Sequence, residues 1–228
     1  MSPRRFVIPD IHGCSRTFRR LLEEVIRLSP SDSLYLLGDM IDRGPGSREV
    51  LDTVLHLQAN GYRITPLRGN HEEMLLLSCR DRSYFRLWMI NGGHATLESF
   101  GIEDGCDIPL PYRRFLESLP FYVQLDDFIL VHGSLNFLDP DPLGDTEAML
   151  WSRDPLVERE RIGGRRVIGG HTPVGLDDIR SSLKGDKIML DNGCVYSGIP
   201  GLGSLTALNL DTMTLHIQPN CEAEQSVL

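Results

Sequence analysis

The chain has no long hydrophobic run. Its first apolar stretch, Phe6-Val7-Ile8, is too short for the core of a signal peptide, and no later stretch approaches the length of a membrane span. These absences argue against a membrane protein and lead us to expect a cytoplasmic one. With 41% hydrophobic residues over 228 positions, the chain has enough apolar side chains for one sizeable core.

Positive charge is in the minority, and lysine is nearly missing. There are 32 acidic residues against 23 basic ones, a formal net charge of -9, and only Lys184 and Lys187 are lysines. This balance argues against a protein whose main partner is a nucleic acid. The other 21 basic residues are arginines. Two explanations of that bias stay open: codon composition, or a few guanidinium groups placed to bind an anion.

Cysteine is scarce and irregularly spaced. The five cysteines are Cys14, Cys79, Cys106, Cys194 and Cys221. An odd count without a C-x-x-C pair indicates neither a disulfide framework nor a thiolate zinc site, so we expect these thiols to stay reduced. The chain also lacks repeats and any long linker rich in Pro, Gly or Ser. A single domain over residues 1–228 is the simplest prediction.

Short apolar runs typical of β-strands recur along the chain, and each ends in a polar cluster. The runs are Phe6 to Ile8, Leu34 to Leu37, Tyr62 to Leu67, Phe128 to Val131 and Val167-Ile168. Apolar residues at helical spacing over residues 15–28 and 47–58 predict helices between the first three runs. Strands and helices in alternation predict an α/β fold.

The stretch from about residue 73 to 120 has a different pattern. Helical patterns cover residues 74–79 and 84–90, followed by Asn91-Gly92-Gly93 and a segment with three prolines that we predict to be irregular. We therefore predict a helical insertion on the α/β body. Strand patterns return from Lys187 onward, with a turn at Asp211-Thr212, and this tail is expected to complete a sheet.

The polar clusters lie directly after the apolar runs, where ligands bind in α/β sheets. They are Asp10-Ile11-His12-Gly13, Gly38 to Gly44, Gly69-Asn70-His71-Glu72, His132-Gly133 and Gly169 to Pro173. They offer carboxylate, amide and imidazole groups but no thiolate, a set that suits Mn, Fe or Zn better than Ca or Mg. One tetrahedral ion needs fewer ligands than this. The sequence therefore indicates two metal ions about 3.5–4 Å apart with a bridging carboxylate.

In this order, the five clusters resemble those of the calcineurin-like metallophosphoesterases. Gly-Asp-x-x-Asp-Arg-Gly at residues 38–44 and Gly-Asn-His-Glu at residues 69–72 are similar to the PPP serine/threonine protein phosphatases, especially their compact bacterial and bacteriophage members. The resemblance runs from about Phe6 to about Leu210 and includes Trp88 followed by Asn91-Gly92-Gly93. It implies a β-sandwich of mixed sheets flanked by helices, with the helical insertion.

The resemblance also implies a set of metal ligands. Asp10 and His12 would hold the first ion, Asp39 would bridge both ions, and the second ion would be held by Asn70, His132 and His171. Where the family usually has Val-His-Ala-Gly, this chain has Val131-His132-Gly133-Ser134. This departure keeps the ligand and changes the loop that follows it. Two divalent ions are implied, with Mn²⁺ expected and Fe or Zn also compatible.

The implied catalytic residues are His71, as general acid, and Asp42, which would orient it and favour its imidazolium form. The implied phosphate-binding residues are Arg43, Arg68 and Arg153. The last of these follows from a looser local motif, Leu150-Trp151-Ser152-Arg153-Asp154, so an exposed loop charge is the alternative for it.

The implied activity is hydrolysis of phosphoserine and phosphothreonine monoesters in proteins or peptides, by direct attack of a metal-bound hydroxide, with phosphotyrosine also open. The alternative is a dinucleoside tetraphosphate hydrolase, which cleaves a phosphoanhydride. Asp42 favours the monoester, because symmetrical hydrolases of that class often lack this aspartate and a phosphate leaving group needs less help from an acid. We expect neither a nucleic acid nor a membrane as partner, and the sequence leaves the oligomeric state open.

Overall fold

The computed structural model describes residues 3–222, and it contains two β-sheets with helices on their outer faces. The ends of the predicted domain, residues 1–2 and 223–228, lie outside the described residues. The strands are β1 (Arg5–Ile8), β2 (Ser33–Leu36), β3 (Arg63–Pro66), β4 (Tyr122–Gln124), β5 (Phe128–Val131), β6 (Arg166–Gly169), β7 (Lys187–Met189), β8 (Ser204–Asn209) and β9 (Thr214–Pro219).

The first sheet has five strands in the order β3-β2-β1-β8-β9, and the second has four in the order β4-β5-β6-β7. In the first sheet, β1, β2 and β3 are parallel, with Phe6 opposite Leu34 and Leu34 opposite Ile64, while β8 and β9 are antiparallel. In the second sheet, β5, β6 and β7 are parallel and β4 is antiparallel. Both sheets are therefore mixed, as the sequence predicts.

Alternation along β1 shows why the two sheets stack. Val7 lies in an apolar cluster with Leu208 of its own sheet and Leu130 and Ile168 of the other sheet, so this cluster fills the space between the sheets. Phe6 and Ile8, on either side of Val7 in the sequence, point the opposite way, into a cluster formed with the helices. Because successive strand side chains face opposite sides, one short run serves both cores.

Eight α-helices are present among the described residues: α1 (Ser15–Arg20), α2 (Ser47–Ala59), α3 (Asn70–Ser78), α4 (Arg82–Trp88), α5 (His94–Phe100), α6 (Leu110–Ser118), α7 (Thr146–Trp151) and α8 (Leu176–Ser182). A π-helical turn, Leu21–Val25, continues α1, and a second one, Met89–Gly93, joins α4 to α5. Within residues 3–222, no helix combines the length and the apolar character needed to cross a membrane.

The insertion between β3 and β4 contains more helix than the sequence predicts. The segment with the prolines, predicted to be irregular, contains α6, which begins at Leu110 and has Pro111 in its first turn. A proline there costs little, because the first backbone N–H groups of a helix have no partner within the helix. The helix α5 and strand β4 were also not predicted. The turn predicted at Asp211-Thr212 is confirmed between β8 and β9.

Candidate metal centre

The loops after β1, β2, β3, β5 and β6 meet, and they bring the polar clusters of the sequence together. The amide N–H of His171 donates to Oδ1 of Asp10 over 2.9 Å, although the two residues are 161 positions apart. Oδ1 of Asn70 lies 2.8 Å from Nε2 of His132. Of the six predicted metal ligands, five are buried and His171 is half-buried. The structure thus brings all six into one cluster.

Asp39 lies at the centre of this cluster. Its Oδ2 atom is 3.5 Å from Nε2 of His12, 3.4 Å from Nε2 of His132 and 3.8 Å from Nε2 of His71. Two sets of side chains have donor atoms close enough together to hold an ion, His12 with His71 and His132 with His171, and Asp39 belongs to both. Burial, with the nearby charges of Asp10 and Glu72, raises the pKa of Asp39 well above its usual value.

The amide oxygen of Asn70 and ring nitrogens of His132 and His171 converge on one region, as ligands of a cation do. Nδ1 of His132 lies 3.0 Å from the carbonyl oxygen of Leu37 and donates to it, so Nε2 presents a lone pair. Burial lowers the pKa of His132, which keeps the imidazole neutral. Its lone pair then faces Oδ1 of Asn70, which is also an acceptor. A metal ion would relieve the repulsion between them.

Among the described residues, two buried imidazole nitrogens of this region have no hydrogen-bond partner. Nε2 of His71 faces Asp39 over 3.8 Å, whereas in His171 it is the other nitrogen, Nδ1, that faces Asn70 and His132, and Nε2 is the unpaired one. Buried polar atoms are nearly always paired, so an unpaired one marks a site for a ligand or an ion. Nδ1 of His12 is held by the carbonyl oxygen of Ile41 at 3.0 Å, which directs its Nε2 toward Asp39. Oxygen and imidazole donors of this kind suit Mn, Fe or Zn. The residues therefore fit a centre of divalent metal ions.

The backbone of the site is held in an uncommon conformation. Among the described residues, seven residues other than glycine have a positive φ, and five of these are predicted site residues: His12 (46°), Asp39 (48°), Asp42 (72°), Arg43 (67°) and His171 (64°). Such conformations cost free energy and persist where the surrounding structure enforces them. Glu72 provides part of that enforcement.

Glu72 was singled out in the sequence only for its place after Asn-His, and the structure gives it a role that sequence reasoning missed. Its carboxylate accepts backbone N–H groups from Asp39, Met40 and Gly69, each over 2.8 Å. One buried side chain thus ties the loop after β2 to the start of α3. Burial nevertheless raises the pKa of Glu72 to about 7, while the three N–H donors oppose that rise.

His71 and Asp42 form a buried pair beside the cluster. Nδ1 of His71 lies 2.7 Å from Oδ2 of Asp42. The same Oδ2 accepts the indole N–H of Trp88 over 2.8 Å, and Oδ1 accepts the hydroxyl of Thr96. Sequence reasoning missed Thr96, for which no local signal exists.

The burial of this pair changes its protonation relative to the sequence-based expectation. Burial raises the pKa of Asp42 to about 7, although hydrogen bonds from Thr96 and Trp88 oppose this rise. Burial and the positive charge of Arg43 lower the pKa of His71 well below its usual value. The negative charge of Asp42 by itself would favour the imidazolium form of His71, but burial and the charge of Arg43 oppose that form. Nδ1 of His71 stays in contact with Oδ2 of Asp42, and Nε2 faces the cluster.

The three predicted phosphate-binding arginines lie in different surroundings. Nη1 of Arg43 is 2.6 Å from Nε2 of His12, so this guanidinium lies at the cluster. Arg153 is exposed, and its charge, after burial and His132, helps to lower the pKa of His171 to about 3. Arg68 is not brought to the cluster by any contact of its guanidinium.

Arg68 instead braces the insertion. Its guanidinium donates to Oε2 of Glu73 over 2.8 Å and to the carbonyl oxygen of Glu117 over 2.7 Å, and it lies over the ring of Phe121. Its backbone N–H donates to the carbonyl oxygen of Pro120. The predicted contact of Arg68 with phosphate therefore stays a prediction, with no contact that supports it.

The loop that departs from the family pattern keeps His132 in position. Gly133 packs against the segment before Arg153: a Cβ atom built on Gly133 would lie 2.9 Å from the carbonyl oxygen of Ser152. The next residue, Ser134, donates its hydroxyl to the carbonyl oxygen of Asp154. Glycine at position 133 thus lets the chain segment that carries Arg153 approach the cluster closely.

Comparisons with known proteins identify the family of this chain. The family model for calcineurin-like phosphoesterases matches residues 3–199. Serine/threonine-protein phosphatase 1 of Salmonella typhimurium is 28% identical over 207 residues, which cover 85% of this chain and 88% of that protein. The asymmetrical bis(5'-nucleosyl)-tetraphosphatase PrpE of Geobacillus thermodenitrificans is also 28% identical, over 237 residues and 91% of each chain.

Among solved structures, a protein serine/threonine phosphatase from Saccharomyces cerevisiae with similarity to human phosphatase PP5 has a TM-score of 0.65. It is 16% identical, and the match covers 100% of this chain and 82% of that one. At that identity the likeness concerns the fold alone. The two sequence relatives carry different names for their substrates, so substrate choice has to be argued from the site.

Proposed function

Because the chain belongs to the calcineurin-like phosphoesterase family, we propose that it is a metal-dependent phosphoprotein phosphatase that hydrolyses phosphoserine and phosphothreonine monoesters. The observation that carries this proposal is the buried pair of His71 and Asp42, with the Nε2 atom of His71 unpaired and 3.8 Å from Oδ2 of Asp39. A monoester needs a proton donor at that point. An anhydride has far less need of one.

We assign the metal ligands as the sequence predicts. Asp10 and His12 would hold one ion, Asp39 would be shared, and the second ion would be held by Asn70, His132 and His171. The position of Asp39 between both sets of imidazoles supports its bridging role. Two divalent ions, with Mn²⁺ the proposed pair, would supply positive charge to the phosphoryl oxygens and a water of lowered pKa.

His71 is proposed as the general acid. The alkoxide that leaves serine or threonine has a high pKa and must be protonated as its bond to phosphorus breaks. The contact of Nδ1 with Asp42 fixes the tautomer and the ring orientation, so that a proton on Nε2 is directed toward the cluster. Trp88 and Thr96 hold the carboxylate of Asp42 in turn, so His71 has little freedom to rotate away.

Arg43 and Arg153 are proposed to bind the phosphate oxygens that do not leave. Arg43 is half-buried, contacts His12, and has its guanidinium carbon 5.7 Å from the centre of the Tyr196 ring. Arg153 follows the segment that packs on Gly133, close to His171. A guanidinium is suited to two oxygens of a phosphate, where charge is held in the transition state.

Hydrolysis of dinucleoside tetraphosphates is the second candidate. The observation in its favour is the similarity to the asymmetrical tetraphosphatase PrpE, which extends over 91% of each chain. Phosphopeptides and dinucleotides differ in the leaving group, so the two candidates make different demands on His71.

The deciding experiment compares a phosphothreonine peptide with diadenosine tetraphosphate under the same conditions, with Mn²⁺ added to the metal-depleted chain. We expect a higher kcat/KM on the peptide. The Asp39→Asn variant, purified in the same way, is the control for contaminating phosphatases. Fast cleavage of the dinucleotide with no turnover of the peptide would reverse the assignment. Repeating the peptide assay with Fe²⁺ and Zn²⁺ tests the choice of metal.

A further inference from the structure

Two cysteines of the insertion lie against each other, far apart in sequence. Cys79 follows the last residue of α3, and Cys106 lies in the short 3₁₀ helix Gly105–Asp107. The thiol of Cys106 is within hydrogen-bonding reach of the thiol of Cys79. Neither cysteine is in a disulfide.

Independent contacts hold the two segments in this arrangement. A Cβ atom built on Gly105 would lie 3.1 Å from the hydroxyl oxygen of Ser78. The two segments therefore touch at the residues that directly precede Cys106 and Cys79. Three residues after Cys79, Arg82 donates to Asp104 over 2.7 Å. The approach of the thiols is therefore a property of the packing between α3 and the 3₁₀ helix.

Exposure separates this pair from a second pair of thiols. Cys14 and Cys194 also contact each other, but both are buried, with relative exposures of 0% and 1%. Cys106, by contrast, is exposed and Cys79 is partly exposed. An oxidant in solution reaches Cys14 and Cys194 only after the core opens, whereas Cys79 and Cys106 lie at the surface.

We infer that Cys79 and Cys106 form a reversible disulfide, a redox modification site on the insertion, when the protein meets a peroxide. Sγ of Cys79, as thiolate, attacks one oxygen of hydrogen peroxide and becomes a sulfenic acid as hydroxide leaves. Sγ of Cys106 then attacks that sulfur, its proton passes to the departing oxygen, and water is released. The hydroxide takes up the proton that the Cys79 thiol lost, so overall two thiols are oxidised by two electrons and one peroxide is reduced to two waters.

Cys106 is not suited to the first step. Although Cys106 is exposed, desolvation of its sulfur and the contacts to Cys79 and Asp104 raise its pKa to about 12, so it stays a thiol near neutral pH. A protonated Cys106 is a poor first target for peroxide, which reacts with thiolates. In the second step it loses this proton to the leaving oxygen as its sulfur attacks.

The disulfide would close a loop that contains Trp88. Gly105 packs on the indole of Trp88, which in turn donates to Asp42. The bond would therefore fasten the 3₁₀ helix Gly105–Asp107 to the end of α3 with these contacts in place. We expect the oxidised protein to keep its hydrolytic activity and to melt at a temperature higher by roughly 5 °C, because the unfolded chain is constrained.

Peptide mapping tests the inference without any assay of activity, so its failure and that of the proposed function are distinguishable. The full chain is treated with hydrogen peroxide, alkylated and digested with trypsin. Cleavage after Arg80 and Arg86 puts the two cysteines on different peptides, residues 69–80 and 87–113. We expect one crosslinked product of these peptides, a mass lower by about 2 Da, and reversal by dithiothreitol.

Thiol counting under denaturing conditions gives a second measure. The reduced chain has five thiols, and consumption of two leaves three. Cys106→Ser and Cys79→Ser are the matched variants, and neither should form the crosslink. The inference is wrong if peroxide leaves all five thiols, if it overoxidises one cysteine while the other stays free, or if the crosslink joins Cys14 to the peptide 188–228.

Discussion

Nδ1 of His71 lies 2.7 Å from Oδ2 of Asp42, and neither side chain is exposed to solvent. A buried contact of this length fixes both the tautomer and the direction of the imidazole. The opposite nitrogen, Nε2, has no partner of its own and faces the cluster around Asp39. In the proposed function, this pair would protonate the leaving group.

Replacement of His71 by asparagine should separate acid catalysis from metal binding. We expect His71→Asn to lose about 10²–10⁴-fold in kcat on an alkyl phosphate and to keep its metal content. The loss should be much smaller on 4-nitrophenyl phosphate, whose leaving group is stable without a proton. Parallel kinetics on both substrates, with metal analysis, check this. Near-normal turnover of the alkyl phosphate would refute the assignment of His71.

The hydroxyl of Thr96 should support His71 indirectly. It donates to Oδ1 of Asp42, so Thr96→Val removes one anchor of the carboxylate at nearly unchanged shape. We expect kcat to fall about tenfold, the cost of a hydrogen bond to a charged group, with KM and metal content unchanged. Thr96→Ser keeps the hydroxyl and is the matched control. Equal rates in both variants would show that the anchor is dispensable.

Asp39→Asn should lose metal as well as activity. Its Oδ2 faces the imidazoles of both candidate sites, so removing the negative charge weakens both. We expect elemental analysis to find at most one ion in this variant and two in the unaltered chain. Asp42→Asn, equally buried but outside the ligand set, should retain both ions. Two ions bound to Asp39→Asn would contradict a bridging role.

Arg43 and Arg68 should differ in what their loss affects. Arg43→Gln removes a guanidinium at the cluster, and we expect kcat/KM to fall about 10–100-fold. Arg68→Gln removes the contacts with Glu73 and with the carbonyl of Glu117, so its melting temperature should fall while KM is unchanged. Steady-state kinetics and thermal melts on both variants test this. A raised KM in Arg68→Gln would instead support the predicted phosphate contact.

Asp32 should contribute to stability only above acidic pH. Burial alone would raise its pKa, but hydrogen bonds from Arg4 and Ser29 hold the pKa well below its usual value. A lowered folded-state pKa means that the stabilisation is present above the unfolded-state pKa of about 4 and is lost as the pH falls below it.

The measurement for Asp32 is urea denaturation of Asp32→Asn across this range. Near neutral pH the variant should be less stable by roughly 1–2 kcal/mol, allowing for the partial exposure of Arg4. The difference should shrink on acidification. Asp177→Asn, which removes an exposed partner of Arg180, should change little at any pH. A deficit of Asp32→Asn that persists at low pH would rule out this origin.

Much of the fold followed from short-range pattern. Phe6-Val7-Ile8 and the other apolar runs predicted strands, and the structure has a strand at each. The helices α5 to α8 were not predicted. For α6 the reason is that it begins beside prolines, which favour irregular chain in isolation. In the folded protein Leu116 of α6 is buried in the main core, and that packing outweighs the local signal.

The sequence by itself determined which residue types follow which strands, and therefore that Asp10, Asp39, Asn70, His132 and His171 would share one edge of the sheets. The pattern carries that information because the carboxyl ends of parallel strands lie at the same edge of a sheet, where ligands bind. Only the tertiary structure decided that Thr96 anchors Asp42, that Arg68 turns to Glu73, and that Cys79 meets Cys106. Such contacts join segments far apart in the chain, and their geometry arises from the packing of whole elements, which no local pattern records.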